Sequence, residues 1–188
     1  MALTLKNYQQ QALDVLKNFF IQSRISDSKE AFEGIVNHPQ AFAHERVSYI
    51  DFFPDSAADV PSVCLRVPTG GGKTLIAAHC IAETAQNYAG TNAPVVLWLV
   101  PSDAIRQQTL KALADVSHPY RQAVMQTYGD YVKVCDLDSL QTINPHDTGK
   151  SCLIIVTTIQ AFNISKTEKR NVYAFFEELS PHFAGLTP

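Results

Sequence analysis

The chain has 188 residues, 46% of them hydrophobic and 18% charged, a balance that excludes intrinsic disorder and supplies material for a sizeable core. Fifteen basic and eighteen acidic residues leave a net charge of −3, which excludes a globally basic nucleic-acid clamp but not a local basic groove. No apolar run approaches the ~20 residues that span a bilayer, and the opening MALTLKNYQQQ has no secretory signal, so a cytoplasmic protein that does not engage a membrane is expected.

Residues 6–22 predict an amphipathic helix, with Leu13, Leu16, Phe19 and Phe20 near one face. Residues 24–61 are long for a simple connection and read as an insertion, with a helical pattern around Lys29–Val36 and an acidic, turn-rich end at Asp51–Pro61. The pattern then changes. SVCLRV (62–67) predicts a short strand, PTGGGKT (68–74) a glycine loop, and Leu75–Tyr88 a helix ended by turn signals at Gly90–Pro94. VVLWLV (95–100) is a continuous apolar run, as in a strand buried on both faces, with Trp98 as core. Ser102 is placed to cap a helix over about 103–115. A strand near Tyr131–Cys135, a polar loop through Asn144–Lys150, a buried strand CLIIVT (152–157) and a last helix over 167–179 complete the chain. Strands alternating with helices predict an α/β fold with a mostly parallel sheet covered on both faces. Two regions follow: 1–60, the N-terminal helix plus insertion, and 61–188, the core.

The cysteines Cys64, Cys80, Cys135 and Cys152 are dispersed without a C-x-x-C, and no two of the six histidines lie at i, i+4. Neither a disulfide framework, a zinc site nor a nucleophile triad is expected, and the pattern suits a reducing compartment.

The most informative stretch is Arg66-Val67-Pro68-Thr69-Gly70-Gly71-Gly72-Lys73-Thr74. It stands between a predicted strand and a predicted helix, the context of a phosphate-binding loop. The glycines let the backbone curl and turn its N–H groups inward, and the helix N-terminus adds to a cavity for phosphate oxygens. Lys73 reaches the β- and γ-phosphates of ATP as a point charge, and the Thr74 hydroxyl completes a Mg2+ site. Thr69, Gly70, Gly71 and Gly72 supply the rest of the cradle. The strict pattern wants glycine where Val67 stands.

The form P-T-G-x-G-K-T resembles the loop of the second large superfamily of helicases and translocases, the DEAD/DEAH-like enzymes, and three more segments are similar to that group. Leu5–Leu13 resembles its L-R-x-Y-Q-x-x-A-L opening, which implies that Gln9 recognises adenine. A carboxamide has the donor and the acceptor that adenine N7 and N6 require; the plainer alternative is a solvated glutamine. VVLWLVPSDAIRQQ (95–108) resembles motif Ia, implying that Ser102 and the turn's N–H groups bind a nucleic-acid phosphate, with Arg106 adding charge. IIVTTIQAF (154–162) resembles motif Ib, implying that Thr157 and Thr158 contact the same backbone.

The closest flavour is the Res subunit of type III restriction enzymes, which the stretches Ile164–Tyr173 and Pro181–Phe183 also resemble. The resemblance implies a RecA-like first lobe using ATP and Mg2+ and acting on DNA or RNA. It also implies a second RecA-like lobe in a longer chain and a modification (methyltransferase) subunit as partner. It predicts a D-E-x-H motif as well, and none occurs in the 188 residues. Glu177-Glu178 and the pair Asp136 and Asp138 do not fit its place, and all four read as solvated charges. The expectation is therefore a partial lobe, cut before that motif, that binds nucleotide but does not hydrolyse it. A non-catalytic nucleotide-binding module is the alternative. A small P-loop phosphotransferase ranks last, having no lid or acceptor base.

Overall fold

The computed structural model describes residues 4–37, 47–51, 60–139 and 149–161. The expected helix at 167–179, the resemblance beyond residue 163, Glu177-Glu178 and parts of the 24–61 insertion lie outside the described residues. The chain divides into two units, one running to Gly90 and the other starting at Thr91.

The first unit is built on α1 (Asn7–Ser23), whose Leu13, Leu16, Phe19 and Phe20 form one buried stripe. Helix α2 (Ser28–Val36) starts at Asp27, whose carboxylate accepts the Glu30 N–H at 2.8 Å. It packs on α1 through Ala31 and through Phe32, which meets Phe19 edge-on with ring centres 6.1 Å apart. Tyr49, Leu65, Cys80 and Tyr88 close this aromatic cluster. Helix α3 (Lys73–Thr84) buries Leu75, Ile76, Ala78 and Ile81 and runs on as a π-helical turn, Ala85–Ala89. Gly90, at φ +65°, ends it.

Residues 62–67 form no regular element and join no strand ladder among the described residues, unlike the expected strand. A strand exists through its neighbour's hydrogen bonds, and here the segment is anchored otherwise. Leu65 packs into the aromatic cluster, and the Ser62 N–H donates to the Tyr49 hydroxyl at 2.9 Å.

The second unit is a three-stranded parallel sheet with two helices, so the fold is α/β. The elements are β1 (Val95–Val100), α4 (Asp103–Ala114), α5 (Pro119–Tyr128), β2 (Val132–Asp136) and β3 (Cys152–Thr158). The strand order is β1-β3-β2, with Val95 opposite Leu153 and Val132 opposite Cys152. β3, with a neighbour on each side, is buried from Cys152 to Thr157. β1 lies at the edge of this sheet. Its Leu97 and Leu99 are 49% and 47% exposed, so the expectation of burial on both faces does not hold for it. A continuous apolar run does not distinguish a central strand from an edge strand, because burial depends on what flanks the strand. Trp98 is half-buried on the opposite face from those leucines.

Helix α5 was not foreseen, although Pro119 at its first turn and Gly129 just after its end are both sequence signals for it. Its Arg121 is buried. The guanidinium donates to the carbonyls of Leu113 at 3.4 Å and Val132 at 3.0 Å, tying the end of α4 to the start of β2. Burial pushes the Arg121 pKa down. Arg106 on α4 reaches across to Asp136 at the end of β2 at 2.8 Å and also holds Asp103 at 2.7 Å. Asp136 is therefore no solvated charge; it also accepts the Ser139 N–H at 3.0 Å and the Ser139 hydroxyl. Asp138 is exposed.

Two outcomes follow from this packing. Ile154→Ala, in the fully buried centre of β3, should cost about 2–5 kcal/mol in urea unfolding. Leu97→Ala should cost about 1 kcal/mol or less, and equal costs would contradict the edge position. The Ser139 hydroxyl and N–H, followed by Arg106, hold the Asp136 carboxyl below the usual carboxylate range. A depressed folded-state pKa gives stability that is present above the unfolded value, about 4, and lost as the pH falls through the folded one. Asp136→Asn should therefore flatten the acid limb of the stability–pH curve, and an unchanged limb would count against this bracing role.

Candidate functional site

The glycine loop and the start of α1 meet within the first unit. Gly72, immediately before α3, has φ +77°, a left-handed conformation that L side chains rarely adopt. A Cβ there would also stand 2.5 Å from the Gln9 Nε2. Gly71 is required for space alone, since its Cβ would lie 2.6 Å from Val67 Cγ1 and 2.9 Å from the Pro68 oxygen. The loop is thus folded against itself and against α1, and α3 begins where it ends. The first N–H groups of a helix have no intrahelical acceptor, and those of α3 point out of the end that the loop wraps.

Gln9 is 5% exposed and bonded at both ends of its amide. Its Oε1 accepts the Lys6 N–H at 2.9 Å, and its Nε2 donates to the Gly71 carbonyl at 2.9 Å. The first bond is half of a capping box, with glutamine at the third helical position reaching back to the cap. Gln9 is therefore neither solvated nor remote from the loop. Tyr8 donates its hydroxyl to the same Gly71 carbonyl at 2.8 Å. Sequence reasoning assigned Tyr8 no role, although it stands inside the quoted Y-Q pair.

Lys73 folds back over the loop, its Nζ donating to the Pro68 carbonyl at 3.0 Å. Among the described residues Lys73 makes no ion pair. A cation at the positive end of a helix dipole is unfavourable unless an anion joins it. Thr69 and Gly70 are exposed in the loop, and Thr74 is half-buried in the first turn of α3. A mostly apolar cavity of about 350 Å³ adjoins Lys73 and is lined also by Leu16, Phe20, Val67, Ile76, Cys80 and Thr84. The adjoining thiol of Cys80 is pushed up to about 11 by burial and by Glu83, so it is no nucleophile.

In the second unit, the other expected residues gather at the C-terminal edge of the sheet, where open α/β sheets bind ligands. Val100 pairs with Thr158 and Leu99 with Thr157, and Ser102 caps α4 two residues beyond Val100. The Ser102 hydroxyl accepts the Ile105 N–H at 3.4 Å, leaving its own O–H free to donate. Thr157 is 3% exposed, and Thr158 is half-buried. Gln160, quoted in the motif Ib match but given no role, donates to the Pro101 carbonyl at 3.0 Å and joins the two segments. Arg106 is engaged by Asp103 and Asp136; hydrogen bonding to Asp103 first, and then to Asp136, raises its pKa. Asp136 was missed because its partner is thirty positions away in the chain.

No group of three or more histidine, cysteine, aspartate or glutamate side chains among the described residues is arranged to hold a metal ion. No helix there is long and apolar enough to cross a membrane.

No curated protein and no solved structure matches the chain significantly. A family does, and over nearly the full length: the type III restriction enzyme res subunit family matches residues 2–179, taking in the glycine loop, the helix that carries Gln9 and the whole sheet. The chain therefore belongs to the type III restriction enzyme res subunit family, as an N-terminal lobe of a superfamily-two helicase with a RecA-like P-loop fold.

Proposed function

We propose that this chain is the ATP-binding N-terminal part of an ATP-dependent DNA helicase or translocase of a restriction–modification enzyme. The observation that carries the reading is Lys73. Its ammonium stands at the N-terminus of α3, over a loop whose shape admits only glycine at position 72, and makes no ion pair among the described residues. That arrangement fits the β- and γ-phosphates of Mg-ATP. Lys73 and the N–H groups of the loop and of the first turn of α3 would hold the phosphates, and Thr74 would hold the metal ion. Gln9, already packed on the loop, would read the adenine. Bound Mg-ATP supplies the phosphoryl chemistry.

The nucleic-acid track is the sheet edge bearing Ser102, Arg106, Thr157 and Thr158. Ser102, Thr158 and the N–H groups at the start of α4 are suited to a backbone phosphate. A second RecA-like lobe would close on the nucleotide, and a methyltransferase subunit would complete the restriction system. Type III family membership favours DNA over RNA as the substrate.

Lys73→Ala should weaken Mg-ATP binding by about 10- to 100-fold, the worth of one charge-assisted contact, in isothermal titration. Unchanged affinity would overturn the phosphate-loop reading. Gly72→Ala should weaken it too and lower stability by about 1–3 kcal/mol through backbone strain. The 188 residues contain no D-E-x-H to orient an attacking water. The isolated chain should therefore show no DNA-stimulated release of inorganic phosphate; turnover that disappears in Lys73→Ala would show that another acid serves.

A further inference from the structure

We infer that Gln160 is a positioning residue for nucleic-acid binding: its side chain holds the Pro101–Ser102 peptide against the turn that follows β3, and so sets the spacing between Ser102 and Thr158. The inference rests on the proposed nucleic-acid track and names what keeps its two halves in register.

The ladder between β1 and β3 runs as far as Val100 opposite Thr158. Beyond that pair the two segments part. One turns through Pro101 and Ser102 into α4, and the other enters the short 3-10 turn Ile159–Ala161. The paired strands thus end where the candidate contacts begin, and a side chain continues the connection. The Gln160 Nε2–H donates to the Pro101 carbonyl at 3.0 Å, across 59 positions of sequence. That oxygen shares one rigid peptide plane with the Ser102 nitrogen. The bond therefore orients the backbone from which the Ser102 side chain and the head of α4 project. Ser102 in turn caps α4, its hydroxyl accepting the Ile105 N–H at 3.4 Å. At the other end, Gln160 stands two residues after Thr158.

Gln160 is exposed. Water can replace its amide, so the bond adds little to the stability of the fold. What it selects is orientation. One nucleic-acid backbone that touches both turns needs them at one spacing, and its apparent affinity falls with the fraction of molecules that hold that spacing. The net worth of a single hydrogen bond corresponds to about 2- to 5-fold in such a fraction.

The test is fluorescence anisotropy at low salt with a labelled DNA oligonucleotide, as single strand and as duplex. The proteins are the 188-residue chain, Gln160→Met, Ser102→Ala, Thr158→Val and the double variant Gln160→Met/Thr158→Val. Methionine is close to glutamine in length and has no donor. Urea unfolding of each variant reports on the fold.

Gln160→Met should weaken DNA binding by about 2- to 5-fold with the urea midpoint unmoved. Thr158→Val removes one of the two points whose spacing Gln160 sets. In that background Gln160→Met should cost no further affinity, because a spacing matters only between two contacts. Losses that multiply in the double variant would show that Gln160 touches DNA on its own account and would overturn the positioning role. So would unaltered affinity in Gln160→Met, or a loss accompanied by a fall in the urea midpoint. If Ser102→Ala and Thr158→Val both leave the affinity unchanged, the proposed track falls and the inference with it. If they weaken binding and Gln160→Met does not, the Gln160 inference alone falls.

Discussion

The backbone at Gly72 is the constraint on which the candidate phosphate loop depends. Its φ of +77° turns the chain sharply enough for α3 to begin at the next residue, so the free N–H groups of the helix and the Lys73 side chain emerge at one place. A Cβ at the same position would meet the end of the Gln9 side chain at 2.5 Å, so that side chain would have to shift. Glycine costs conformational entropy elsewhere in a chain, but here every other residue would add backbone strain. The three consecutive glycines have separate reasons. Gly70 and Gly72 need positive φ, whereas Gly71 needs only room.

Much of this was legible in the sequence because it is local. The periodicity of Leu13, Leu16, Phe19 and Phe20 gives α1 and its buried face within a residue or so at each end. The run from Cys152 and the serine before Asp103 identify β3 and the cap of α4. The run of three glycines announces the turn from which α3 starts. What was not legible is pairing between distant positions. SVCLRV has the composition of a strand, but composition does not supply a neighbour, and among the described residues the segment joins no ladder. VVLWLV has the apolar continuity of a central strand, yet Leu97 and Leu99 are exposed at an edge. Asp136 looks solvated in sequence because both Arg106 and the fold that brings it near are thirty residues away. Helix α5 is a different failure: its Pro119 and Gly129 signals are local and were passed over.

Gln9 shows how two readings of one residue can both be incomplete. As a helix residue it caps Lys6, and as a loop neighbour it holds Gly71. Neither bond is visible in a run of three glutamines, where solvation is the simplest account. Each bond uses half of what its atom can make: Nε2 carries a second N–H and Oε1 a second lone pair. Under the proposed function, those are the donor and the acceptor that an adenine edge would meet while Gln9 stays on the loop.

Similar arithmetic applies at the sheet edge. Arg106 carries one positive charge against Asp103 and Asp136, so the trio is net negative. The guanidinium spends its Nε–H and one Nη1–H on these carboxylates and keeps its other donors, but a phosphate approaching it meets the net negative charge of the trio. Asp136 is held by Ser139 as well, whereas Asp103 is the more exposed partner, with 60% of its side chain open to solvent. Arg106 is thereby a brace between α4 and β2. Neutral donors carry no such charge balance. The Ser102 hydroxyl and the N–H groups at the head of α4 meet a phosphate at the favourable end of a helix dipole. A track made of such donors releases few condensed counterions, so its affinity should depend only shallowly on salt. Under the proposed function, that accords with a chain whose net charge is −3 and would put its grip on DNA in geometry more than in charge.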